Sequence, residues 1–113
     1  LSHDPLFAAR MAKVEIDLEN MKTTNLRVIA AVAGGGAPGA ESSMLKIRGT
    51  EIRQELFSLT RRAMGTYAAQ TADLGDEAAA RAAASYFNNR KLSIFGGSNE
   101  IQKNIISKMI LGL

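Results

Sequence analysis

Between Asp4-Pro5 and Gly34-Gly35-Gly36 the chain places apolar residues seven positions apart, and does so twice over. Phe7, Val14, Met21 and Val28 form one series, and Met11, Leu18 and Val32 run between them. Interlocking series of this kind are the pattern of a helix packed along a seam. Asp4 is placed to cap that helix, and Pro5 sits in its first turn, where a missing N–H costs nothing. The glycines end it. At 1.5 Å per residue the helix spans about 40 Å. A stripe that long needs an antiparallel neighbour of similar length. Asn25 is the one polar residue on the seam and reads as a register-setting group.

The neighbour follows Pro38-Gly39. Leu45, Ile52, Leu56, Leu59 and Ala63 mark one face, and Met44 and Ile47 widen it towards the start. Gly49 is a soft spot costing about 1 kcal/mol relative to Ala, unless close packing demands it. Gly65 ends the element. Residues 66–75 show no sustained period and are expected to form a loop. Asp76 can cap a short alanine-rich helix reaching about Asn88. In the last helix Ile101, Ile105, Ile106, Met109, Ile110 and Leu113 cover more than one stripe, too much for a helix buried on one side. The expected fold is all-α, an antiparallel up-down four-helix bundle with two long and two shorter helices. Residues 1–113 are expected to form a single domain.

Composition removes several function classes. There is no cysteine, so disulfides and Cys-based metal sites are excluded. That usage is compatible with a reducing compartment, the cytoplasm or the mitochondrial matrix. The net charge of +3 is spread among acids, which is a solvated helical face and not a nucleic-acid stripe. No apolar run is long enough for a membrane span. His3 is the only histidine, and it has no second ligand with which to bind a metal.

One corner stands out chemically. Ile94-Phe95 runs into Gly96-Gly97, Ser98 follows as an N-cap, and a helix begins. Adjacent glycines permit positive φ and close approach of backbone. The helix start points free N–H groups and its dipole at the same place. Such a corner suits anionic oxygens, including a pyrophosphate or a thioester oxygen gaining charge. It also suits a plain turn, with Ser98 capping and Glu100 complementing the dipole. Arg90-Lys91 just upstream reads either as a phosphate aid or as a solvated link. Arg61-Arg62 reads as a complement to the dipole of the second helix.

The string Ile94-Phe95-Gly96-Gly97-Ser98-Asn99-Glu100-Ile101-Gln102-Lys103-Asn104-Ile105-Ile106, with Ile110-Leu111-Gly112-Leu113 after it, closely resembles the C-terminal signature of the acyl-CoA dehydrogenases. The likeness extends more loosely to the stretch from Pro38 to Lys46 and to residues 4–33, while residues 66–88 match poorly. The resemblance implies the C-terminal helical domain of a flavoenzyme that oxidises acyl-CoA to 2,3-enoyl-CoA and passes electrons to a carrier. It implies FAD contacts at Ser98, Asn99 and Glu100, an acyl-CoA thioester beside Gly97, and assembly as a homodimer or homotetramer. Nucleic acid is not an expected partner. The chain is expected to be a piece of a longer protein and inactive alone.

Two departures qualify this picture. Many family members place a glutamate base where Gly96 stands, and glycine cannot abstract a proton. The base then lies outside this chain, or the parent is a non-catalytic subunit or works on a different reaction. The family also carries a Gln before Gly-Gly, contributed to a partner subunit's FAD. Here Arg61-Arg62-Ala63-Met64-Gly65 keeps only Gly65, which puts that contact in question. A helical self-association module without flavin chemistry is the alternative reading.

Overall fold

Asp4 caps the first helix through its side chain: Oδ1 accepts the amides of Leu6 at 2.9 Å and Phe7 at 3.3 Å. Pro5 then opens α1 (Pro5–Ala33), and Gly34 closes it. The computed structural model describes residues 3–69 and 77–113. The remaining helices are α2 (Glu41–Ala63), α3 (Glu77–Asn88) and α4 (Asn99–Ile106). Short 3-10 turns at Gly65–Ala69 and Asn89–Ser93 follow α2 and α3, and a π turn at Ser107–Leu111 prolongs α4. Among the described residues there is no strand. The expected cap Asp76 and most of the expected loop lie outside the described residues. The part of that loop that is described begins with an ordered 3-10 turn.

The fold is organised around α2. One face carries Ile52 and Leu59, which form the central cluster with Val14 of α1, while Phe7, Met11 and Met21 pack at its edge. Leu59 is the deepest large side chain, with 1% of its surface exposed. The opposite face of α2 carries buried Ser43 and Ile47 and packs towards α3, the Asn89–Ser93 turn and α4. The single face expected for α2 is therefore two faces. Leu56, assigned to the core from periodicity, is 43% exposed.

The seam of α1 also departs from strict heptads. Leu18 and Val32 are about 40% exposed and Asn25 is exposed, so Asn25 sets no buried register. The first series, Phe7, Val14, Met21 and Val28, stays covered at its seven-residue spacing, while the second row runs through Asp17 and Thr24, themselves seven apart and both partly buried. Asp17 ties the two helices together, accepting from Lys13 at 2.9 Å and from Arg48 of α2 at 2.9 Å. The Lys13 hydrogen bond, aided by Arg48, holds its carboxyl below the ordinary carboxylate range. The radius of gyration, 17.5 Å, exceeds the roughly 13 Å of a compact chain of this length. The long α1–α2 hairpin accounts for the excess. No described helix is long and apolar enough to cross a membrane.

Candidate functional site

The glycine corner forms as the residue types demand. Gly96 has φ +67° and Gly97 φ +81°, both in the left-handed region that side chains with a Cβ resist. Gln102, one turn into α4, reaches back and donates from Nε2 to the Gly96 carbonyl at 3.1 Å. A Cβ on Gly97 would lie 2.7 Å from that same Nε2, whereas a Cβ on Gly96 would meet nothing within 4 Å. Ser98 caps α4, its hydroxyl accepting the Ile101 amide at 3.4 Å. The Gly97 amide makes no hydrogen bond among the described residues.

Glu100 stands exposed in the first turn of α4. Its carboxyl is held below the ordinary 4.5, chiefly by its own backbone amide and then by the Ser98 hydroxyl. Lys103 and Lys46 add smaller electrostatic contributions in the same direction. The start of α4 thus favours the charged form of the carboxylate in its first turn.

Asn99 is also engaged. Its Oδ1 accepts from Lys46 Nζ at 2.8 Å, and its Nδ2 donates to Thr50 Oγ1 at 3.2 Å. The Thr50 hydroxyl lies 2.8 Å from the Ile47 carbonyl and 3.4 Å from Asn99 Oδ1. With one proton to give, it donates at the shorter distance and accepts from the Asn99 amide. Sequence reasoning assigned Asn99 to a cofactor and did not single out Lys46 or Thr50. Their i, i+4 spacing on a polar stripe of α2 was the available signal.

The basic residues upstream are engaged by aromatic rings. Arg61 stacks on Tyr86 at 4.4 Å, with Arg90 on the same ring at 5.7 Å, and Lys91 lies 5.4 Å from Phe95. Arg61 therefore does more than complement a helix dipole: it joins α2 to α3. Grooves of about 450 and 460 Å³ flank the α1–α2 hairpin, and neither is lined by the corner. Gly96 and Gly97 stand exposed, so any ligand there needs further walls.

The model of the acyl-CoA dehydrogenase C-terminal domain matches residues 1–111. The chain belongs to the acyl-CoA dehydrogenase family. It is 32% identical over 87 residues to the acyl-CoA dehydrogenase FadE34 of Mycobacterium tuberculosis, covering 77% of this chain and 11% of that protein. In the crystal structure of the ChsE4-ChsE5 complex from Mycobacterium tuberculosis, a chain 28% identical superposes with a TM-score of 0.74. That match covers 98% of this chain and 29% of the other. The chain thus spans a minor part of each relative, and the all-helical expectation agrees with the architecture of an acyl-CoA dehydrogenase C-terminal domain.

Proposed function

We propose that the complete protein is a flavin-dependent acyl-CoA dehydrogenase and that this chain supplies the corner receiving the FAD diphosphate. The reaction is oxidation of an acyl-CoA to the 2,3-enoyl-CoA, with electrons leaving to a carrier from a reducing compartment such as the cytoplasm or mitochondrial matrix. The observation that carries this reading is the pair of left-handed glycines leading directly into the α4 start. The donors there are of the right kind for an anion: a serine hydroxyl, the first helix amides, and the Lys46 ammonium of α2 held against Asn99. FAD, when bound, would accept hydride from the β-carbon of the acyl chain.

The residues of this chain bind and orient. The Ser98 hydroxyl and the first α4 amides offer hydrogen bonds to diphosphate oxygens. The unengaged Gly97 amide can hold a thioester oxygen as it gains charge. Asn99 contributes by fixing the helix start, and Glu100 stands in the first turn beside the same amides. Gly96 supplies no base, and Glu100 lies a full helical turn beyond the corner, so proton abstraction requires a residue from outside this chain. The isolated chain is accordingly inactive. Gly96 also favours a second reading, a non-catalytic subunit that assembles with a catalytic one.

Flavin affinity of the complete protein tests the reading. Ser98→Ala should raise the FAD Kd about ten-fold or more, the loss of one hydrogen bond to a charged group at about 1.5 kcal/mol. Glu100→Gln should leave binding undiminished or tighten it, because a competing charge is removed. Unchanged flavin retention in Ser98→Ala would reduce Ser98 to a helix cap and remove the support for a diphosphate at this corner.

A further inference from the structure

Lys46, Thr50 and Gln54 lie at i, i+4 and i+8 on α2, hence on one stripe of that helix. Lys46 and Thr50 hold Asn99, the first residue of α4. Gln54 Nε2 donates to the carbonyls of Arg90 at 3.2 Å and Asn89 at 3.4 Å, where the Asn89–Ser93 turn begins. The two attachments bracket the whole segment 89–99, and the left-handed glycines lie between them. Within the segment, Ser93 Oγ donates to the Arg90 carbonyl at 3.1 Å and Gln102 closes the glycine turn. The bonds of Lys46 and Thr50 to Asn99 and of Gln54 to the Asn89 carbonyl are partly buried, where a hydrogen bond fixes geometry more firmly than at an exposed site; the Gln54 bond to Arg90 is exposed.

We infer that Lys46, Thr50 and Gln54 are positioning residues, a polar rail on α2 that holds both ends of the glycine segment and so sets the direction in which α4 presents its N-terminus. A turn with two positive-φ glycines has little conformational preference of its own, because glycine populates both signs of φ. Something rigid must select one geometry. α2 is the helix packed on both faces, which makes it the stiffest available support. The amide of Asn99 is the coupling element: Lys46 fixes its oxygen and Thr50 its nitrogen, which leaves the ring of contacts only one orientation.

Amide hydrogen exchange on the 113-residue chain tests the rail without any ligand. Thr50→Val keeps the shape and loses the acceptor, Lys46→Met loses the charge, and Gln54→Met loses the second attachment. Each should speed exchange at Phe95, Ile101 and Gln102 at least ten-fold while amides of the α1–α2 seam stay unchanged. Thr50→Ser should restore the wild-type pattern, which a purely packing role for Thr50 would not produce. Unchanged exchange at the corner in all three variants overturns the inference, and so does a uniform rise along the chain. The functional consequence rests on the proposed diphosphate site: in the complete protein Thr50→Val should raise the FAD Kd several-fold and Thr50→Ser should restore it. Faster corner exchange with unchanged flavin affinity keeps the rail and rejects the diphosphate reading.

Discussion

Gly96 and Gly97 share a backbone sign but not an environment, and alanine at each separates two costs. Both replacements force a Cβ into the left-handed region, at about 1–2 kcal/mol. At Gly96 (φ +67°) that is the whole cost, because nothing lies within 4 Å of the added atom. At Gly97 (φ +81°) the added Cβ meets Gln102 Nε2 at 2.7 Å. The amide is the end of a flexible side chain and can swing away, so the extra cost is its bond to the Gly96 carbonyl. That bond is exposed, placing the increment near the low end of about 0.5–1.5 kcal/mol. Gly97→Ala should therefore destabilise by about 0.5–1 kcal/mol more than Gly96→Ala in urea unfolding followed by circular dichroism. In a Gln102→Ala background the two should become equal within about 0.3 kcal/mol. Equal costs in the wild-type background, or a difference that survives without Gln102, would refute the reasoning.

Three further outcomes are expected. Gly49→Ala should stabilise the chain by up to about 1 kcal/mol, since the new Cβ lies 3.5 Å from Met21 Sδ, an ordinary contact, and a mid-helix glycine is lost; a drop in Tm would show that the α1–α2 approach is tighter than this. Glu100 has a depressed pKa, so its contribution to the α4 start is present above the ordinary 4.5 and is lost as pH falls through the lowered folded value; Glu100→Gln should flatten that acid limb, and an unchanged acid profile would contradict it. Ile110 is 66% exposed on the last turn, so Ile110→Lys should shift a self-associated chain towards monomer at unchanged helicity, read by light scattering, whereas half-buried Ile106→Lys should cost stability as well; an unaltered association state would exclude this face.

The elements were legible where local chemistry decides them. Asp4-Pro5 and Ser98 announced their helices, and each caps as its residue type permits. What periodicity missed is a matter of partners. A stripe such as Leu45, Ile52 and Leu59 reveals that a face is covered, but a second face built from Ser43, Lys46, Thr50 and Gln54 looks like solvated surface until something packs on it. Leu18, Val32 and Leu56 failed for the converse reason: they obey the heptad and yet stand about 40% exposed, the second row of the α1 seam running through Asp17 and Thr24 instead. At the site, the glycine geometry was legible because only glycine tolerates it. The engagement of Asn99 by α2 was not, because residues about fifty positions apart cannot be paired from one sequence.

The consequence for chemistry lies in how the corner is supported. A helix N-terminus attracts anions whatever its surroundings, but its usefulness depends on direction. Here the direction is set from α2, and α2 is in turn fixed against α1 through Val14, Ile52 and Leu59. A substitution in that apolar cluster, far from any reacting group, therefore reaches the corner through the rail of Lys46, Thr50 and Gln54. The path is a contiguous set of packed and hydrogen-bonded groups, so its effect on the corner should scale with the disturbance of α2 and not with distance from it. Gly96 sharpens the point: a corner that carries no base contributes by holding position, and holding position is what the second face of α2 is built to do.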